Sequence, residues 1–258
     1  MFHEQKSFTL VSAHFGDMFW IEQMSARVGS ASRPASLRAI RIVDQDRNVE
    51  IARQLAGLPG HPEVLTFPED QVQIDRLGHD HAAALDRCRQ LKYGTTHIIL
   101  LDSDCFPIAA DWLERVTLLL GDHQAIVARD PLKYGLSHPC FMVLPVAVLP
   151  ELNFSEGLLE VGIDTGRLIG LQLSKLGYKV RWDEPARAFR GKRGHYYLDG
   201  ALYHHGSASF ASSPQRQLRS QVEPSIERFF QAKVGRGDFA LTLADRAYLR
   251  LLKRLGRS

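Results

Sequence analysis

Two aspartates one residue apart, Asp102 and Asp104, follow directly on a run of four apolar residues, Ile98 to Leu101. Three kinds of chemistry fit a pair of carboxylates at the end of a rigid strand. The acids can simply be a solvated strand end. They can be a phosphatase pair, one Asp attacking phosphorus and the other handling the proton. They can also grip a hard divalent cation, since Mg²⁺ and Mn²⁺ take oxygen ligands and share their shell with substrate phosphates.

Other residues of chemical interest stand at intervals along the chain. Asp44 and Asp46 close "LRAIRIVDQD"; Asp164 precedes "TGRLIGLQLSKLGY"; His204 and His205 lie in "ALYHHGSAS". Between the last two segments, "RAFRGKRGHYY" holds Arg187, Arg190, Lys192, Arg193 and His195. Guanidinium and ammonium groups there could hold a diphosphate, and the two glycines would let the loop move. Each feature has a plainer reading: acids beside a helix start, an N-cap, a core and a surface histidine, a solvated charge run. His81 and Asp86 fit either donor contact or an exposed helix face.

The elements that must position these residues alternate. "SFTLVSA", "LRAIRIVDQD", "EVLTF" and "THIILLD" read as strands, the last as one buried on both faces. "DMFWIEQMSARV", "NVEIARQLA" and "LGHDHAAALDRCRQLKY" read as helices between them, the third stopped by Gly94. After the paired acids come a helix, "AADWLERVTLLLG", and two strands, "QAIVARD" and "CFMVLPVAVL". A helix from Asp164, the strand "KVRWDEP", a late strand with the histidines and a basic helical tail complete the chain. The β-α-β-α-β-α-β opening implies an α/β fold, a mostly parallel sheet flanked by helices, in a single domain. Ligands of such sheets bind outside the carboxyl ends of the strands, where both acid pairs belong.

The ordered set resembles the GT-A glycosyltransferases, and among them the family 2-like group. "VDQD" is similar to the family's nucleotide-binding strand end. "GHDHAAALDRCRQLKYGTTHIILLDSDCFP" resembles its helix, strand and D-x-D block. "GIDTGRLIGLQLSKLGYKV" is similar to the segment in which an acid precedes a helix, and "YHHGSAS" to the strand that returns a histidine to the metal. The resemblance covers residues 7 to 210 and implies a GT-A-like (Rossmann-like) domain over 1–240. Its nucleotide-binding half would be about 1–107 and its acceptor- and metal-closing half about 108–212, with a basic amphipathic helix at 241–258.

By the same resemblance the protein moves a sugar from a nucleotide-sugar donor, a UDP-sugar by default, to an acceptor hydroxyl, with Mn²⁺ or Mg²⁺ as cofactor. Asp104 would be the principal metal ligand and Asp102 would contact metal or ribose, with Ser103 beside them on the nucleotide. Asp44 would bind base or ribose. His204 or His205 would complete the metal site; alternation along a strand lets one of the two reach it, and His204 is preferred. Asp164 is the candidate base. Where the family often carries paired acids this chain has Gly-Ile-Asp, which leaves inverting and retaining outcomes both open. Arg190, Lys192 and Arg193 would lie in the loop over the donor.

Composition sets outer bounds. A net charge of +3 on 258 residues gives no argument for nucleic acid. Three scattered cysteines, Cys88, Cys105 and Cys140, fit a reducing compartment and small buried positions. The amino-terminal residues do not read as a signal peptide, and Pro145 and Pro150 break the longest apolar stretch. The expectation is a cytoplasmic protein. Its basic tail either packs on the domain or lies on anionic lipid at the inner face of a membrane, near a glycan, lipid-linked or small-molecule acceptor. The competing functions are a haloacid-dehalogenase-type phosphatase and a non-catalytic nucleotide-sugar binder. The phosphatase expects its acids after the first strand, and the nucleotidylyltransferases expect a Gly-rich amino-terminal loop that "SAHFGDMF" does not supply.

Overall fold

The computed structural model describes residues 6–29, 34–46, 48–67, 79–130, 135–156, 165–185, 187–188, 194–206, 224–239 and 242–255. The chain runs β1 (Phe8–His14), α1 (Met18–Val28), β2 (Leu37–Asp44), α2 (Val49–Ala56), β3 (Glu63–Thr66), α3 (His79–Cys88) and β4 (His97–Leu101). It continues through β5 (Cys105–Pro107), α4 (Trp112–Leu120), β6 (Ala125–Arg129), β7 (Ser137–Pro145), α5 (Ile169–Lys175) and β8 (Val180–Asp183). Short strands β9 (Arg187–Ala188), β10 (His195–Tyr197) and β11 (Leu202–His204) precede helices α6 (Pro224–Gly235) and α7 (Leu243–Leu255).

Seven strands form one sheet in the order β3-β2-β1-β4-β7-β6-β8. Neighbours are parallel except at β7, which runs antiparallel to both β4 and β6. The apolar runs sort by alternation. Phe8, Leu10, Ile99 and Leu101 face one core with α1 and α4; Val11, Ala13, Ile98 and Leu100 face the other with α3 and α5. A strand covered on both sides explains the unbroken Ile98–Leu101 run, and each such side chain contributes about 1.5–3 kcal/mol by burial. A second sheet, β5-β11-β10-β9, is antiparallel throughout. The result is a GT-A-like α/β fold whose first half is parallel and whose second half folds back.

Local chemistry accounts for most ends. The Asp17 carboxylate caps α1 by accepting from the Phe19 N–H, and Asn48 caps α2 by accepting from the Glu50 N–H. Helix α3 stops at Cys88, earlier than the Gly94 expected from its Ala-Leu pattern. The N–H groups of Gln90 and Leu91 turn back to the carbonyls of Arg87 and Cys88, and the Tyr93 hydroxyl donates to the Cys88 carbonyl. Strand β7 begins before the expected Cys140 and ends at Pro145, where Val146–Glu151 forms a 3₁₀ turn around Pro150. Gly170 has a packing reason: a Cβ there would lie 2.4 Å from the Trp182 ring, so α5 lies directly on β8.

Helix α7 lies against α6 through one edge. Lys233 bonds the Asp245 carboxylate at 2.7 Å, and Phe229 meets Tyr248 with ring centroids 5.6 Å apart. Leu243, Tyr248 and Leu251 stay exposed at 83%, 49% and 52%. The tail helix therefore does not bury its apolar face as a packed core helix does. No helix among the described residues is long and apolar enough to cross a membrane.

Candidate metal and nucleotide site

Asp102 and Asp104 sit on the turn that carries the chain from one sheet to the other. The Asp102 N–H extends the β4–β7 ladder by donating to the Cys140 carbonyl (3.1 Å), and the Cys105 N–H closes the turn on the Asp102 carbonyl (2.8 Å). Ser103 is half-buried within it. Strand β5 then pairs with β11, setting Cys105 opposite His204, and the His205 N–H donates to the Asp104 carbonyl at 3.0 Å. That register brings a histidine from a hundred residues away onto the acids.

His204 Nε2 lies 3.5 Å from Asp104 and 4.0 Å from Asp102. Asp104 is buried, Asp102 half-buried, and His204 only 4% exposed. Burial works against a charge on His204. Cys140 and Asp104 nevertheless hold the ring's pKa well above the ordinary histidine value. His195, on β10 and stacked beside His204 at 6.3 Å, goes the other way: burial first, then the His204 charge, push it down to about 4. Ligand atoms of Asp102, Asp104 and His204 lie within 4.8 Å of one another. Two acids converging in a half-dry site repel unless a cation sits between them. Two carboxylates with one imidazole suit Mn²⁺ or Mg²⁺, so the residues fit the metal expected there.

His205, the alternative metal ligand, faces away. Its ring stacks on Trp20 at 4.1 Å, its Nδ1 meets the Tyr203 hydroxyl at 3.0 Å, and its Nε2 lies 3.2 Å from the Glu227 carboxylate. The correction has a simple cause: adjacent strand residues point to opposite faces. His205 is a fully buried post between the small sheet and α6.

Asp44 ends β2 opposite His14 of β1, on the same rim as Asp102. It is 2% exposed, and its Oδ1 accepts from the Asp46 N–H at 3.0 Å. Asp46 in turn accepts from the Gly16 N–H (2.7 Å). With β1 between β2 and β4, the two strand ends stand about 10 Å apart. Asp164, Arg190, Lys192 and Arg193 lie outside the described residues. The segment after Asp164 is held firmly: the Ser137 hydroxyl lies 2.8 Å from both the Gly166 and Arg167 carbonyls and donates to one of them, and Arg167 pairs with buried Asp130.

Four more groups stand around the acids and His204; sequence reasoning missed His138, read Cys140 only as a small buried residue, and named His81 and His195 without placing them here. His81 of α3 lies 3.7 Å from Asp102, His138 packs edge-on against His204 at 5.0 Å, and Cys140 and His195 adjoin it. His138 and Cys140 come together because β7 is antiparallel to β4, so its start lies beside the end of β4. The i, i+2 spacing of "SHPC" was the available signal, since it puts both side chains on one face. Burial pushes the Cys140 thiol up to about 12.

No known family profile matches the sequence, and no curated protein matches it. Among solved structures, it is similar to the mannosyltransferase PcManGT from Pyrobaculum calidifontis, determined with GDP-Man and Mn²⁺. The TM-score is 0.52 at 16% identity, over 73% of this chain and 59% of that one. S. aureus TarS 1–349 matches with TM-score 0.48 and 12% identity, over 86% and 68% of the two chains. An active-site mutant of LgtC matches with 0.49 and 13%, over 85% and 99%. The chain thus spans 59% of the mannosyltransferase's length and shares its fold.

Proposed function

We propose that this chain is a metal-dependent glycosyltransferase that moves a hexosyl group from a nucleotide-sugar donor to an acceptor hydroxyl. The observation that carries the reading is the meeting of Asp102, Asp104 and His204 at the carboxyl end of β4. A bound Mn²⁺ or Mg²⁺ would neutralise charge on the leaving diphosphate. Asp102 and Asp104 would hold it with His204, Ser103 would line the nucleotide, and Asp44 would help bind base or ribose. Arg190, Lys192 and Arg193 would grip the diphosphate, and Asp164 would take the proton from the acceptor hydroxyl. A GDP donor is tried beside the UDP donor that the resemblance makes the default, because the mannosyltransferase of like fold was determined with GDP-Man and Mn²⁺. The phosphatase reading is not supported: the paired acids follow the fourth strand, at the middle of the sheet.

The test is calorimetric titration with UDP, GDP, CDP and dTDP, with and without Mn²⁺. One nucleotide should bind, and only with metal. Metal-independent binding, or hydrolysis of a generic phosphomonoester without nucleotide binding, would overturn the reading.

The exposed side of α7 supports a peripheral contact. Leu243, Tyr248 and Leu251 stand beside exposed Arg246 and Arg250, and a groove of about 420 Å³ between α6 and α7 is lined by Arg228, Phe229, Ala232, Arg236 and Tyr248. Apolar residues beside arginines fit peripheral contact with anionic lipid, where a lipid-linked acceptor would lie.

A further inference from the structure

His204 belongs to two sets of ligating residues. One is the pair of aspartates. The other is His138 and Cys140, whose ligand atoms and one from His204 lie within 4.8 Å of one another. The two sets differ in kind. Carboxylates suit hard cations; a thiol and two imidazoles are the donors of a zinc-type site, which commonly uses three protein ligands and one open position. Cys140 is fully buried, and the Nδ1 of His204 is buried with no hydrogen-bond partner among the described residues. An unpartnered buried ring nitrogen beside a thiol is a place where a missing ion is a physical explanation.

We propose that His138, Cys140 and His204 form a second metal position, selective for divalent ions of the Zn²⁺ class, which competes with the Asp102–Asp104 position for His204. Zinc-class ions bind nitrogen and sulfur donors more tightly than Mn²⁺ does, so Zn²⁺ entering the site moves toward the thiolate and takes His204 with it. The Cys140 thiol proton leaves to water as the metal–sulfur bond forms. His138 gives up one local bond, in which its Nδ1 accepts from the Cys140 N–H at 3.2 Å. The consequence is inhibition of the proposed transferase by Zn²⁺. Only that consequence rests on the proposed function; the metal position itself stands apart from it.

The experiment uses the full chain and metal alone. Co²⁺ added to the wild type should give a near-ultraviolet thiolate-to-cobalt charge-transfer band at one equivalent. The band should vanish in Cys140→Ser and in Cys140→Ala, and weaken in His138→Asn, a partly exposed position. It should persist in Cys105→Ser. No band in the folded wild type, or a band that survives loss of Cys140, overturns the proposal. In a second arm, bound Mn²⁺ is followed by its paramagnetic resonance. Zn²⁺ should release it from the wild type at concentrations at least about tenfold lower than from Cys140→Ser. Equal zinc sensitivity of the two proteins also overturns the proposal. Failure of Mn²⁺ to bind the wild type would count against the proposed function and leave the cobalt result to decide the second position.

Discussion

Neighbouring His204 and His205 face opposite ways, and replacing each with alanine should produce two unlike defects. His205 is fully buried, stacked on Trp20, and meets the Tyr203 hydroxyl and the Glu227 carboxylate. Its removal costs each of those two polar groups a partner. At about 0.5–1.5 kcal/mol for the hydroxyl and about 1.5–3 kcal/mol for the carboxylate, the sum is about 2–4 kcal/mol. For a chain of this size that is a fall in Tm of about 4–16 °C. His204 is buried too but touches the acids, so His204→Ala should lower the Mn²⁺ affinity by at least about 10–100-fold, a defect that His205→Ala should not share. Thermal unfolding and Mn²⁺ titration of both variants separate the two roles. A His205→Ala protein of normal stability but poor Mn²⁺ affinity, or a His204→Ala protein that binds Mn²⁺ normally, would refute the division drawn from strand alternation.

Asp104→Ala should weaken metal-dependent nucleotide binding by more than about a hundredfold and leave the circular dichroism spectrum unchanged; retained metal-dependent binding would sink the metal assignment. Gly170→Ala should lower stability by about 1–3 kcal/mol in denaturant titration, because the new Cβ would press on Trp182. Burial pushes the Asp183 carboxyl up to about 6, although its side chain accepts from the Leu198 N–H at 2.8 Å. The folded state then holds more protons than the unfolded chain from about pH 4 to about pH 6, so stability should fall as pH rises through that window and level off above it. Asp183→Asn should flatten that slope and gain about 1–3 kcal/mol at pH 8, read from melts across the range. Leu251→Glu should reduce co-sedimentation with phosphatidylglycerol vesicles by several-fold and leave thermal stability unchanged; undiminished sedimentation would remove α7 from any lipid contact.

The parallel half of the fold was legible because its strands and helices are long enough to show a period. Phe8–His14 and His97–Leu101 alternate between two cores, and Met18–Val28 buries Trp20, Ile21, Met24 and Val28 at helical spacing. The second half was legible only in part: β6, β7, β8 and the late histidine strand were expected, but not the direction of β7 or the short strands β5, β9 and β10. Strands of two and three residues such as Arg187–Ala188 and Cys105–Pro107 carry no measurable period, and nothing in Ser137–Pro145 announces its direction. The same gap explains what was and was not foreseen around His204. Asp102, Asp104 and His204 stand out as residue types at strand ends. His138 and Cys140 reach the same place only through the antiparallel pairing of β7, a long-range register that spacing along the chain does not encode.

The turn that carries Asp102 and Asp104 from one sheet to the other has a bearing on biogenesis. The third member of the candidate metal site, His204, is made a hundred residues later and arrives only when β5 and β11 zip together. A chain emerging from the ribosome can expose both acids long before it can hold a metal with all three groups. Ion capture would then be a late checkpoint of assembly, silent in truncated or half-folded copies. A metal bound there would also fasten the seam between the two sheets, so that a copy able to act would be a copy that had finished folding.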